Sequence, residues 1–590
     1  MKQFFKYVLA TVVGSLLTGV VIFLFALLSL VSIAVSGDGK TSVKSNSVLV
    51  LNLSGVLQER SEEQLLDKLR GEATAKNGLD DVLSAIKKAK DCKDIRGIYI
   101  EAGAFIPDSY ASLQALRNAL ADFRKAGKFI IAYSDTYTQG AYYVASVADK
   151  VYLNPQGTLD WHGLAAQNVY YKDMLAKFGV KVQVAKVGAY KSAVEPFTSD
   201  KMSDANREQV SQYLNGLWAN VVKAVSDSRK VSTAQLNAYA DSLITLAAPT
   251  DYQKMKLVDG LLYTDQVKNV VKKRLGVSPD SRIHQISVSQ LNQAIDDDDE
   301  GEEVAVYYAY GDVVDGAAGG LVQNNHVIDA QVVCRDLEEL MNDDDVKAVV
   351  LRVNSGGGSA YASEQIWHQV MELKKKKPVV VSMGGMAASG AYYISAPANW
   401  IVAEPTTLTG SIGIFGMFPD MSGLLHDKLG LTFDEVKTNK NSAFGTMARP
   451  FTGEEMRYLE TYINRGYTLF RQRVAQGRKL SIDQVEKIAQ GHVWLGQDAL
   501  GIHLVDQLGS LDDAIAKAAK LAKLSAYHSE AYPAPDSWED QLFKDALQGN
   551  YLDENLRQSL GFCYEPVMLM RTLNRQNAIQ ARMPYMLNIQ

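Results

Sequence analysis

Cysteine is nearly absent. Cys92, Cys334 and Cys563 are the only three in 590 residues. They are far apart, odd in number and in no metal-ligand spacing, so the chain offers neither a disulfide framework nor a zinc site. Cys92 and Cys334 also fall in stretches that read as ordinary helix, which argues against a cysteine nucleophile. An excess of positive charge is missing too: 61 Lys and Arg against 67 Asp and Glu give a formal net charge of -6 and no electrostatic footprint for nucleic acid. With 47% hydrophobic and 22% charged residues the composition is that of a globular protein. The length exceeds what one core needs and calls for at least two domains.

One segment lacks charge altogether. Tyr7 to Gly37 is 31 residues without an Asp, Glu, Lys or Arg. At about 1.5 Å per residue a helix of that length exceeds a hydrocarbon core of roughly 30 Å, and it is too long for the apolar region of a cleaved secretory signal. The reading is an uncleaved membrane anchor over residues 7–37. Lys2 and Lys6 on its short side favour a cytoplasmic N-terminus and the remaining chain outside the cytoplasm, against the weaker pull of Lys40 and Lys44.

What the chain does contain is a copy of itself. "SDTYTQGAYYVASVADKVYLNPQGTLDWHG" from Ser134 aligns with "MAASGAYYISAPANWIVAEPTTLTGSIG" from Met386, with Gly140 and Gly390 in register at an offset of 250. Pro155 and Pro405 keep that offset, and "PFTSDKM" from Pro196 resembles "PFTGEEM" from Pro450. Between the copies "DDDDEGEE" is a charge run that cannot be buried. The expected organisation is an anchor and linker at 1–46, a first repeat at 47–295, an acidic linker at 296–302, a second repeat at 303–530 and a C-terminal extension at 531–590. Val/Ile/Leu-rich runs alternating with helix-length segments such as "SEQIWHQVMELKKKK" predict an α/β fold in each repeat.

The duplication serves as an internal control. Ser389, just before the shared GAYY, stands opposite Gln139, which is no acyl-transfer nucleophile. Ala387, Ala388 and Gly390 leave the Ser389 hydroxyl accessible, and a helix starting at Gly390 would aim backbone N–H groups at developing negative charge. No histidine lies in the motif and the G-x-S-x-G elbow is absent. His326, His368 and His426 are candidate bases elsewhere. The complementary difference is Lys191 in "GAYKSAVEPF", opposite Asn441 in "NKNSAFGTMARPF". One half keeps the serine and the other the lysine, an arrangement that could build one asymmetric site. A lysine acts as a base once burial lowers its pKa, and Val187, Ala189, Ala193 and Val194 supply apolar neighbours, whereas Glu195 one turn away would oppose that. The glycines Gly356 to Gly358 end an apolar strand in a turn that either presents amides to an oxyanion or simply reverses the chain. Ser411 in "TGSIG" either orients a lysine or stabilises its own turn.

"VGAYKSAVEPF", "VNSGGGSAYASE", "VVSMGGMAASGAYYIS" and "TLTGSIGIFG", in that order along the chain, resemble the signal peptide peptidase A (protease IV) family in its long, duplicated, membrane-anchored bacterial form. The resemblance implies tandem domains of the Clp protease/crotonase fold and a serine protease. Ser389 would be the nucleophile, Lys191 the general base, Ser411 a hydrogen-bond partner of the lysine, and Gly390 with Gly357 the oxyanion-hole donors. Gly356 stands where the family has proline. The resemblance also implies signal peptides as substrates, a homotetramer on the outer face of the bacterial cytoplasmic membrane facing the periplasm, and no metal or other cofactor. Two rival readings are a catalytically inactive membrane scaffold and a crotonase-like acyl-CoA enzyme, which has no use for an anchor or for a serine and lysine split between repeats.

Overall fold

In a computed structural model of the chain, the described residues are 42–60, 77–296, 300–316, 326–534 and 579–583, together with Lys6–Tyr7, Gly14–Ser15, Thr18–Gly19 and Val21–Ile22, which are helical. The rest of the expected anchor lies outside them, as do residues 297–299 of the acidic linker and Cys563. Among the described residues no helix is long and apolar enough to cross a membrane.

The first repeat is a parallel sheet built from β1 (Ser47–Gln58), β2 (Ile95–Pro107), β3 (Phe129–Tyr137) and β4 (Lys150–Leu159), paired in that order. Helices α1 (Leu79–Asp91), α2 (Tyr110–Lys125) and α3 (Gln139–Ala145) make the crossovers that parallel pairing requires. α1 shows why this sequence folds so: Leu79, Val82, Ala85, Ile86 and Ala89 recur at helical spacing and are buried, while Lys87 on the opposite face is exposed. After β4 the chain forms β5 (Lys181–Lys186) and the 26-residue helix α4 (Asp204–Arg229).

The second repeat restates the pattern with β6 (Glu302–Tyr310), β7 (Asp312–Val314), β8 (Val327–Asp329), α5 (Ala330–Asn342), β9 (Val346–Ser355), β10 (Gly357–Ser359), α6 (Ala360–Lys376), β11 (Val379–Ala388), α7 (Gly390–Ser395), β12 (Trp400–Ala403), β13 (Leu408–Gly410), β14 (Phe415–Asp420), α8 (Gly453–Arg478), α9 (Leu511–Ala522) and β15 (Tyr527–Tyr532). Its main sheet runs β13-β11-β9-β6-β15 in parallel, with β12 beside β11. β6 begins at Glu302, the last residue of the expected linker, and β15 runs two residues past the expected boundary at 530. The lysines Lys374 to Lys376 close α6, where cations suit the helix C-terminus.

A third sheet joins the halves. Its order is β8-β7-β10-β16-β14-β5, where β16 is Ile579–Arg582 from the C-terminal extension. β5 of the first repeat lies antiparallel to β14 of the second, from Phe415 opposite Lys186 to Asp420 opposite Lys181. Two apolar cores fill the repeats, and a third cluster spans them: Val210, Tyr213 and Leu217 of α4 pack on Ala388, Leu408, Val493 and Leu495. Burial between the halves therefore fixes the end of β11, the strand that leads into Ser389.

Candidate active site

Ser389 sits alone between a strand and a helix. β11 ends at Ala388 and α7 begins at Gly390, so the serine makes the corner with φ 58° and ψ -115°. L side chains rarely adopt positive φ, and surrounding structure has to hold them there. Here β13 does so: its residues Leu408 to Gly410 pair with Met386 to Ala388, the Gly410 carbonyl accepts from the Ser389 N–H at 2.8 Å, and the Thr409 hydroxyl donates to Ala387. Ala387, Ala388 and Gly390 are all buried, and the serine itself has no exposed surface.

Lys191 arrives from the first repeat, five residues beyond β5. Val187 N–H donates to Ile414 and Tyr190 N–H donates to Gln490, so the segment is stitched to the second repeat just before the lysine. The Lys191 Nζ lies 2.7 Å from Ser389 Oγ and 3.0 Å from both the carbonyl oxygen and the Oγ of Ser411. Lys191 and Ser411 are as fully buried as Ser389. Burial alone pushes the lysine pKa well below its ordinary value of 10.5, since desolvation disfavours the ammonium and no carboxylate faces it. A neutral amine has two N–H donors and one lone pair. The two donors match the two oxygens of Ser411, and the lone pair is left for the Ser389 hydroxyl proton.

Glu195, which reads from sequence as an obstacle, is turned away. Its carboxylate accepts from Ser203 N–H, the Ser203 hydroxyl and the Asn206 amide. The same stretch of α4 supports the lysine loop from behind. Gln209 donates to the Tyr190 carbonyl and to Ser192 Oγ at 3.0 Å, while its carbonyl oxygen accepts from Val493 N–H. The neighbouring His492 carbonyl accepts from Ser411 N–H at 2.7 Å, so one glutamine side chain links the lysine loop to the turn that carries Ser411.

Two supporting residues have no signature in the sequence. A Cβ on Gly413 would come 3.1 Å from the Lys191 Cδ, and one on Gly491 would strike the Lys191 backbone and Cβ at 2.6–2.7 Å. Gly491 also has φ 82°, so both its space and its conformation demand glycine. Their sequence context, "TGSIG" and "QGHVW", shows a turn and nothing of the side chain it must clear.

The expected oxyanion donors lie beside the serine. Gly390 opens α7, so its N–H has no intrahelical acceptor. Gly357, at φ 96°, is close enough that a Cβ there would come within 2.6 Å of the Gly390 nitrogen; its own N–H donates to Ser355 Oγ at 3.0 Å. The three histidines are elsewhere: His326, His368 and His426 are exposed, and His426 pairs with the Ala448 carbonyl. In the first repeat the position of Ser389 is filled structurally. Gln139 accepts from His162 and Gly163 N–H groups and donates to Tyr110 and the Gly163 carbonyl. Asn441, opposite Lys191, lies on an exposed stretch.

Fold and site together define a duplicated α/β serine protease of Clp protease-like architecture. The sequence pattern of peptidase family S49 matches residues 122–278 and again 371–525, and that of Clp protease matches 302–401. "Protease 4" of Salmonella typhi is 39% identical over 84% of this chain and 82% of its own, and "Protease 4" of Haemophilus influenzae is 37% identical over 85% and 83%. "Serine protease SPPA, chloroplastic" of Arabidopsis thaliana is 28% identical over 82% of this chain and 70% of its own. The chain belongs to peptidase family S49, in the protease IV type that carries the domain twice.

Proposed function

We propose that this chain is a membrane-tethered endopeptidase that hydrolyses cleaved signal peptides and other apolar peptides, with Ser389 as nucleophile and Lys191 as general base. The observation that carries this reading is the 2.7 Å contact between Lys191 Nζ and Ser389 Oγ inside a fully buried site. Lys191, neutral, takes the Ser389 proton as Oγ attacks the peptide carbonyl, while Ser411 keeps the amine oriented. The Gly390 amide stabilises the oxyanion, joined by Gly357 once its N–H leaves Ser355 Oγ. Lys191 then protonates the departing amine and activates the water that frees the acyl-enzyme. The charge-free run at 7–37 supports a membrane tether. The family resemblance extends the proposal to the bacterial cytoplasmic membrane, a catalytic body on its periplasmic side and a homotetramer.

Ser389→Ala abolishes hydrolysis of an apolar peptide, by roughly 10⁴-fold or more, with the fold retained. An acylating probe labels Ser389 in the unaltered enzyme. Lys191→Ala costs on the order of 10²–10⁴-fold, the usual worth of a general base. Activity rises with pH as Lys191 gives up its proton at its lowered pKa and is lost on the acid side. Full activity in the Ser389 variant refutes the reading, and full activity in the Lys191 variant refutes Lys191 as the base.

A further inference from the structure

Gln139 stands where the second repeat has its serine, yet it is far from idle. It is only 5% exposed, and every hydrogen-bonding position of its amide is used. Oε1 accepts from the N–H groups of His162 and Gly163 at 3.1 and 3.0 Å. Nε2 donates to the Gly163 carbonyl at 3.1 Å and to the Tyr110 hydroxyl at 3.2 Å. At the offset of 250, His162 and Gly163 correspond to Ile412 and Gly413, which directly follow Ser411. The glutamine therefore reaches from the place of the nucleophile to the turn that, in the other repeat, holds the lysine. The backbone has relaxed as well: Ser389 turns its corner at φ 58°, whereas Gln139 is the first helical residue of α3, behind Thr138 at φ -66°.

The loop that Gln139 holds leads to the working site. Its root is fixed in the first repeat: Trp161 is fully buried and donates to the Leu236 carbonyl at 2.9 Å, and Asp160 accepts from the Thr245 hydroxyl at 2.9 Å. Beyond Gly163, at φ 90°, the chain leaves that core. Leu164 and Ala166 pack instead on the cluster shared by the two repeats, with Tyr213, Leu408 and Ala388, the residue next to Ser389. Tyr110, the other partner of Gln139, and Met386 join the same cluster. Tyr213, Leu408 and Ala388 are buried, while Leu164, Ala166, Tyr110 and Met386 are half-buried, so this apolar wall has an open side. Without the glutamine amide, two backbone N–H groups and a carbonyl at the start of the loop would lose their partners and the loop would have to shift to recover them.

We propose that Gln139 is a positioning residue for substrate selection: by clamping His162 and Gly163 it sets Leu164 and Ala166 as one wall of a pocket that takes an apolar side chain of the peptide beside Ser389. This rests on the Ser389–Lys191 reading. The copy that lost the nucleophile thereby shapes what the other copy cuts. Gln139 touches neither the dyad nor the peptide, so its loss acts on KM and on the preference among peptides and leaves the chemical step alone.

The experiment assays the full-length protein in detergent on peptides that differ only in one residue on the acyl side of the cleaved bond: alanine, leucine or phenylalanine. In parallel, Ser389 is labelled with a small acylating probe that carries no such side chain. In Gln139→Leu, similar in size but unable to bind the loop, KM for the preferred peptide rises about 10-fold, the worth of a lost apolar contact in a pocket, and the preference among the three narrows. kcat and the labelling rate of Ser389 do not change. Leu164→Ala, which keeps the clamp and removes the wall, gives the same pattern, and the double variant is no worse than either because both act through one wall. Gln139→Glu, which keeps the acceptor oxygen for His162 and Gly163, restores most of the lost affinity. The proposal is overturned if Leu164→Ala leaves KM and preference unchanged, or if Gln139→Leu lowers only kcat and the labelling rate, which would place its effect on the dyad. Hydrolysis of these peptides by Ser389→Ala would instead defeat the underlying assignment of the nucleophile.

Discussion

The most exacting test of how two repeats make one site is a buried ion pair between them. Arg352, near the end of β9, donates from Nε to Glu59 Oε1 at 2.5 Å; Glu59 lies just past β1 in the other repeat. Both are nearly inaccessible, at 6% and 5% exposure. The arginine also donates to Ser382 Oγ and the Met383 carbonyl on β11, and the other Glu59 oxygen accepts from Asn354, whose carbonyl holds the Met386 N–H. The pair thus locks the first repeat onto both strands that lead to Gly357 and to Ser389. Removing one member of a buried pair leaves the other charge uncompensated and costs about 3–5 kcal/mol. At about 2–4 °C per kcal/mol for a unit of this size, Arg352→Met should lower the thermal midpoint by roughly 6–20 °C. Glu59→Leu should do the same. The double variant removes both members of the pair and should regain more than half of the loss, because an ion pair and an apolar pair of similar volume are of comparable worth. Thermal unfolding of the four proteins, followed by circular dichroism, reads this directly. Strictly additive losses would refute the argument, since they would mean that neither residue feels the other.

Two further outcomes follow from the lysine. Lys191→Met should raise the thermal midpoint at neutral pH, because below its unfolded value of 10.5 the chain must give up a proton to bury this amine; the gain should shrink as pH rises toward 10.5, and a gain independent of pH would contradict the origin assigned to it. Gly413→Ala should lower kcat several-fold with little change in KM, since a displacement of about 1 Å costs on the order of 10²-fold and the new methyl, 3.1 Å from Lys191 Cδ, requires a shift of only a few tenths of that; an unchanged kcat would show that the amine position is not critical.

The Ser389–Lys191 contact was legible because the chain carries its own comparison. At a fixed offset of 250 residues, Ser389 against Gln139 and Lys191 against Asn441 are differences inside matching surroundings, and pairing them needed no coordinates. The alternating α/β elements were legible for the usual reason, that burial on one face leaves a period in the sequence. Other features had no such trace. Gly491 and Gly413 matter through what they allow across the site. The Gln209 brace joins residues that only tertiary packing brings together. β16 is four residues whose pairing is set entirely by distant edges, so "IQAR" carries no period of its own. Glu195 misled because sequence spacing says which residues are neighbours and not which way a carboxylate turns.

The serine and the lysine are 198 residues apart and belong to different repeats, and the lysine is made first. A ribosome that has finished the first repeat has made Lys191 without Ser389. The serine follows, yet Gly491, Val493 and His492, which shape and brace the lysine pocket, come about a hundred residues later still. If the proposed Ser389–Lys191 mechanism holds, cutting power cannot appear in a partly synthesised chain. On that proposal the order of the repeats along the gene would act as a timer, withholding the hydrolytic centre until nearly all of both repeats exists.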